Sequence, residues 1–378
     1  VAGIALLSTW IAFMISNYAP QLKSVGVTVD PYEIFLRAMP YRFYCLFLLF
    51  FLFASTLLRR DFGAMLAAER RAGTTGKVIR DGGTPLVGSK AIGMEEKPGV
   101  ERRSLYGFLP LVVLIVVTIG QMIRIGLSHV EGPVDLTLLS DLRRTLAATE
   151  SAKALFHGSL AAWIAASLLM LGGRILSLRE VLGASLRAAS GVTIALAILF
   201  LAWAISGVTS DLGTAHVLVA LFQNAMPPAL LPILLFLIAC AISFATGTSW
   251  GTMAILLPNT VVLAYTLGAH FSGGQLALAI LAIAAVFEGA IFGDHASPVS
   301  DTTILASLST GADLMDHVHT QMPYALLIML VSLGAYVPVS MFGVHPAVVL
   351  LLGALVIVGF LLWRGRDPDV GRIAAPEP

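Results

Sequence analysis

Ionisable side chains are scarce in this sequence: 12% of residues are charged, against about a quarter in soluble domains, while 57% are apolar. That deficit excludes an ordinary soluble protein of 378 residues. Lys and Arg total 23, Asp and Glu 22, and a net charge of +1 leaves no basic footprint for nucleic acid. Cysteine is just as sparse. Cys45 and Cys240 both lie in apolar runs, build neither a disulfide framework nor a metal knuckle, and read as buried hydrophobes. The first apolar run has no basic stretch ahead of it and no initiator Met, which argues against a signal peptide. The expectation is a chain that begins within a longer protein.

A regional absence says more. From Ala188 through Trp363 there is no Lys or Arg in 176 residues, yet this span holds Asp211, Glu288, Asp294, Asp301, Asp313 and Asp316. These acids have no basic partner nearby in sequence. A hydrocarbon layer of about 30 Å keeps ionised groups out unless they are used. The charges gather elsewhere: residues 59–104 carry ten basic and six acidic side chains, 16 of the chain's 45, with Gly and Pro between them. That stretch reads as a solvated loop, and Val78 to Gly99 within it as a flexible linker.

What is abundant is long apolar sequence. Nine or ten runs are long enough to cross a bilayer at 1.5 Å per residue. They fall near 1–17, 40–58, 105–126, 155–172, 190–209, 228–246, 252–268, 276–293, 323–342 and 345–363. The fold class expected is an all-α polytopic membrane protein with discontinuous helices or re-entrant hairpins. Its parts are the first transmembrane segments at 1–58, a cytoplasmic loop at 59–104, and transmembrane segments at 105–187 with an outward loop near 127–154. An ion-binding bundle at 188–363 and a cytoplasmic tail at 364–378 follow. The excess of Lys and Arg in 59–104, around Arg174, Arg179 and Arg187, and at Arg364 and Arg366 sets the orientation in the cytoplasmic membrane, with the C-terminus on its cytoplasmic side.

Three polar islands interrupt the apolar half. They are Ser206 to Thr214, Ala245 to Thr252, and Gly289 to Thr303, the last being GAIFGDHASPVSDTT. Non-helical backbone survives in hydrocarbon only where it packs in protein or lines a wet cavity. Pro298 lacks an amide hydrogen and disfavours helix at Ser297, so the chain unwinds there and frees carbonyls for a cation. An Asp at mid-membrane costs about 2.5 to 3.5 kcal/mol on the lenient insertion scale, and two of them seven residues apart point to a use. Gly247 and Gly251 fit either close helix packing or a hairpin tip flanked by hydroxyls. Asp211 reads as a helix cap or an ion contact. Glu288 faces the bundle as a relay or pairs with His295. Asp313, Asp316, His317 and His319 are expected in a solvated loop.

Two enzyme readings fail on spacing. Catalytic aspartates must approach within about 3 Å to share a proton, whereas seven residues of helix separate them by about 10 Å. His295 beside Asp294 has no second ligand pair at helical spacing for zinc.

The strings GTSWGTMAILLP (247–258), GAIFGDHASPVSDTTILAS (289–307) and DHVHTQMPYAL (316–326) resemble the NhaC-type sodium/proton antiporter family. PYEIFLRAMPYRFYCLF and RRDFGAMLAAERRAG near the start extend the likeness more loosely. The resemblance implies two inverted repeats, each giving a broken helix or hairpin to a midplane site, with the partner half largely before Val1. It implies Thr248, Ser249 and Thr252 as polar hairpin residues, and Asp294, Ser297, Ser300, Asp301 and Thr302 as the unwound acidic element. It also implies organic anions such as malate and lactate as alternative cargo.

The function expected is therefore exchange of Na⁺ for H⁺ by alternating access, with Na⁺ held at Asp294 and Asp301 and no cofactor. Oxygens of Ser297, Ser300, Thr302, Thr248, Ser249 and Thr252 complete the site, and Glu288, His295 and Asp211 are candidate proton relays. A carboxylate in a partly dry cavity makes the two cargoes compete. The apolar half offers no Arg or Lys to an anion, which favours a cation over sodium- or proton-coupled exchange of small carboxylates or amino acids. The partners expected are the bilayer and the two ions, with a homodimer as the candidate assembly.

Overall fold

The computed structural model describes residues 9–85, 104–130, 132–149, 151–191, 193 and 227–371. Regular structure among them is helical apart from one isolated antiparallel bridge between Asp61 and Arg366. In chain order the helices are α1 (Thr9–Ser24), α2 (Pro31–Ala38), α3 (Phe43–Leu58), α4 (Gly63–Thr75), α5 (Leu105–His129), α6 (Leu139–Ala147) and α7 (Ser151–Gly172). They continue with α8 (Leu178–Gly191), α9 (Leu231–Thr246), α10 (Ser249–Leu267), α11 (Gln275–Ala296), α12 (Asp301–Thr310), α13 (Leu314–Phe342) and α14 (Pro346–Arg364).

Seven helices are long and apolar enough to cross a membrane, and eight if the segment from Pro31 to Leu58, bent by 49° after Tyr41, is one broken span. These eight correspond to eight of the ten apolar runs. Of the run at 1–17 the described part, from residue 9 on, lies in α1, and of the run at 190–209 only 190, 191 and 193 are among the described residues. Phe53, Phe108, Val116, Leu168, Leu351 and Trp363 are exposed, an apolar surface that suits lipid and not water. The chain is an integral membrane protein.

α11 is the core helix. From Leu278 to Gly293 every residue is buried except Ile291. Gly289 and Gly293, four apart and so on one face, permit this burial against α9. A Cβ on Gly289 would lie 2.3 Å from the Phe236 carbonyl oxygen, and one on Gly293 would lie 2.5 Å from the Phe244 amide nitrogen. Hydroxyls reinforce the same seam. Ser243 Oγ donates to the Ala290 carbonyl at 2.6 Å, and Ser297 Oγ donates to that of Phe244 at 2.7 Å. Cys240, on α9, and Cys45, on α3, are both buried.

Two expected loops contain structure. In 59–104 the run GAMLAAERRAGTT forms α4, and its surroundings dock on the C-terminal tail. Asp61 and Arg366 exchange backbone hydrogen bonds at 3.0 and 2.8 Å, Arg70 donates to the Asp367 carbonyl, and Arg59 pairs with Asp369. The basic loop expected around Arg174 to Arg187 narrows to a turn, because Leu178–Gly191 is α8, and Trp163 Nε1 donates to Ser185 Oγ at 3.0 Å to tie it back to α7.

Asp313 and Asp316 also depart from the solvated reading. Asp313 is buried; its side chain caps α13 by accepting from the Asp316 amide at 2.9 Å and takes the Thr84 amide at 2.7 Å. Asp316 pairs with Arg80. Their charges are answered by the segment after α4.

Candidate functional site

Two interruptions of the helical bundle meet. The first is the joint between α9 and α10, where Gly247 adopts φ 68° as a left-handed cap. Thr248 then caps α10, its hydroxyl accepting from the Gly251 amide at 3.3 Å. The second is the bend from Ser297 to Ser300, where the residues flanking Pro298 and Val299 are extended and the helix resumes at Asp301. The joints touch through backbone: a Cβ on Gly247 would lie 2.6 Å from the Val299 carbonyl oxygen and 2.9 Å from the Ser300 amide nitrogen.

Asp294 sits in the last turn of α11, where this contact forms. Its Oδ2 accepts from Ser249 Oγ at 3.0 Å, across the junction; its Oδ1 accepts from Ser300 Oγ at 2.5 Å and from Thr302 Oγ1 at 3.4 Å. Ser300 and Thr302 also bond each other at 2.8 Å. The result is one partly buried carboxylate ringed by three hydroxyls from two separate interruptions. Asp301 opens α12 directly after the bend, where the helix N-terminus favours a negative charge.

Not every expected ligand joins this group. The hydroxyl of Thr248 serves as a helix cap, Thr252 Oγ1 donates to the Thr248 carbonyl at 2.8 Å, and Ser297 Oγ is spent on Phe244. These three shape the joints, while Ser249, Ser300 and Thr302 line the carboxylate. Asp211 lies outside the described residues.

Glu288 does not pair with His295. Its Oε1 accepts from Arg42 Nε at 2.8 Å and its Oε2 from the Cys45 amide at 2.6 Å, with Arg42 and Glu288 both fully buried. A base absent from the apolar half is thus supplied by a residue 246 positions away. His295 instead has Nδ1 at 2.7 Å from Tyr44 Oη, and its carbonyl accepts from Gln321 Nε2 at 2.8 Å. Arg42, Tyr44 and Gln321 were not expected at the site. Arg42 carried a signal: an arginine two residues after Pro40, inside an apolar run, is itself an anomaly in a membrane span.

Among the described residues no group of three or more His, Cys, Asp and Glu is placed to hold a metal ion. The donors around Asp294 are all oxygens, the set suited to a hard cation.

Comparison with known proteins shows the family. The model of the Na⁺/H⁺ antiporter family matches residues 1–344. A Haemophilus influenzae protein named only as uncharacterized is 30% identical over 337 residues, 88% of this chain and 60% of that protein. An uncharacterized Na⁺/H⁺ antiporter of the same organism is 35% identical over 122 residues, 30% of this chain and 24% of its own length. The malate-2H⁺/Na⁺-lactate antiporter of Bacillus subtilis is 30% identical over 138 residues, 36% of this chain and 24% of its own. The chain therefore spans 60% of the first of these relatives and about a quarter of the other two. No solved structure matches.

Proposed function

Because the chain belongs to the Na⁺/H⁺ antiporter family, we propose that it works as a secondary antiporter exchanging Na⁺ for H⁺, with Asp294 as the group that holds either ion. The observation that carries this reading is the ring of Ser249, Ser300 and Thr302 hydroxyls around one carboxylate at the contact of two helix interruptions. Protonated, Asp294 is neutral and offers a cation little. Deprotonated, it supplies a full negative charge, and each hydroxyl turns its proton away to present lone pairs, since a hydroxyl both donates and accepts. Asp301 adds a second carboxylate to the same bend. The two ions then compete for one charge, and a movement of the joined interruptions that switches access between the two sides gives exchange. The 188–363 region serves as the transport bundle, in the cytoplasmic membrane, with Arg364 and Arg366 on the inner side.

The test is sodium-driven pH change in proteoliposomes of the full-length protein. Asp294→Asn abolishes it, and wild-type rates in that variant would end the assignment.

A second reading, coupled exchange of small carboxylates, draws on the relative named as a malate/lactate antiporter. Against it, the Arg42 charge is already matched by Glu288. Labelled malate uptake against a sodium gradient separates the two: uptake in wild type that sodium drives would favour the anion.

A further inference from the structure

The first turn of α3 grips one face of α11 at two heights. Positions 288, 292 and 295 follow the i, i+4, i+7 spacing that puts them on a single face. Glu288 takes Arg42 and the Cys45 amide, Phe292 meets the Tyr44 ring edge-on at 5.6 Å between centroids, and His295 meets the Tyr44 hydroxyl. Asp294 lies about 120° round the helix from Glu288, by the 100° turn per residue, and faces the α10 joint instead.

The Arg42–Glu288 pair has the features of an anchor. Both side chains are fully buried, and the guanidinium lies 5.0 Å from the ring centroid of Phe287 and 5.4 Å from that of Trp10, within the range for cation–π attraction. Glu288 uses both oxygens, the second on an amide that a helix start would otherwise leave without an intrahelical partner. The pair is also placed where α2 gives way to α3, at a bend that α13 holds through Tyr336 Oη donating to the Tyr41 carbonyl at 3.0 Å. A broken helix outside the acidic segment is thereby fastened to the helix that carries Asp294.

We propose that Arg42 and Tyr44 are positioning residues for the Asp294 site, and that Glu288 is a permanently paired anchor for them and carries no proton. This rests on the antiporter reading for its transport readout only. Removing one charge of a buried pair leaves the other uncompensated, whereas removing both together is tolerated far better.

The experiment is a double-mutant cycle in the full-length protein, read by thermal unfolding in detergent and by sodium-driven proton flux in vesicles. Arg42→Met and Glu288→Gln singly lower the unfolding midpoint and lose most of the flux. The double variant, which keeps an amide oxygen for Cys45 and has no buried charge at this spot, regains the unfolding midpoint and part of the flux, and the exchange it keeps has the wild-type pH profile. Tyr44→Phe weakens the apparent affinity for sodium while the maximal rate stays near wild type. If the double variant regains thermal stability but stays as inactive as Glu288→Gln, Glu288 carries protons and the proposal falls. It falls equally if the singles behave like wild type. Wild-type protein silent to sodium would overturn the cargo reading instead, and the thermal cycle, which needs no cargo, would still decide the anchor.

Discussion

Gly247 and Val299 are in backbone contact, with no room for a side chain between them: a methyl on Gly247 would lie 2.6 Å from the Val299 carbonyl oxygen. Gly247 also occupies the left-handed region at φ 68°. Both facts place the same demand on one residue, and through it the α9–α10 joint and the acidic bend share a common backbone surface.

Gly247→Ala therefore separates the two joints. The left-handed conformation alone costs an alanine about 1 to 2 kcal/mol, and the clash pushes Ser249 away from Asp294. The expected outcome is a lower unfolding midpoint and loss of sodium-dependent flux. Gly334, with nothing within 4 Å of an added Cβ, provides the control: Gly334→Ala leaves both unchanged.

The hydroxyls around Asp294 are not equivalent. Ser300 lies at 2.5 Å and is buried, whereas Thr302 lies at 3.4 Å and is exposed. With its proton turned away, the buried Ser300 oxygen is the ligand nearest the carboxylate, so Ser300→Ala weakens sodium binding by about tenfold, equivalent to about 1.4 kcal/mol. Thr302→Ala has a smaller effect, because its oxygen stands farther from the carboxylate and is exposed to water, which can replace it. Sodium titrations of the two purified variants measure the difference, and equal losses would contradict the geometry.

Much of this molecule is legible in its sequence, for an identifiable reason. The long runs at 105–126, 228–246, 276–293 and 345–363 become helices because a bilayer imposes length and apolarity and leaves the chain few alternatives. The bend at Pro298 follows from one missing amide hydrogen. Partnering is harder to read, because no local pattern joins Arg42 to Glu288 across 246 positions, or Thr84 to Asp313 across 229. Roles are harder still. Thr248 and Ser249 are neighbours of the same chemical type, yet one caps a helix and the other faces the carboxylate, a difference set by which side of the α10 start each falls on. The helix Gly63–Thr75 was hidden by its polarity, although its alanines favour helix.

The docking of the segment after α4 onto the start of α13 depends on acid. Burial works against ionisation of Asp313, but the amides of Asp316, Thr84 and Met315 and the charge of Arg80 outweigh it and hold the carboxyl below its usual range. A depressed folded-state value stabilises the dock above the ordinary carboxylate range and is lost as pH falls through the depressed value. Hydrogen exchange at the Thr84 amide reports it: protection holds at neutral pH, falls in acid, and is lost at all pH values in Asp313→Ala. Unaltered protection in that variant would contradict the dock.

The central claim is that one carboxylate holds a sodium ion or a proton but not both. Adding sodium to the purified protein in weakly buffered detergent solution tests it directly, with a pH indicator counting the protons set free. The account predicts release by the wild type, saturating with sodium, and none by Asp294→Asn. Undiminished release from that variant would contradict it.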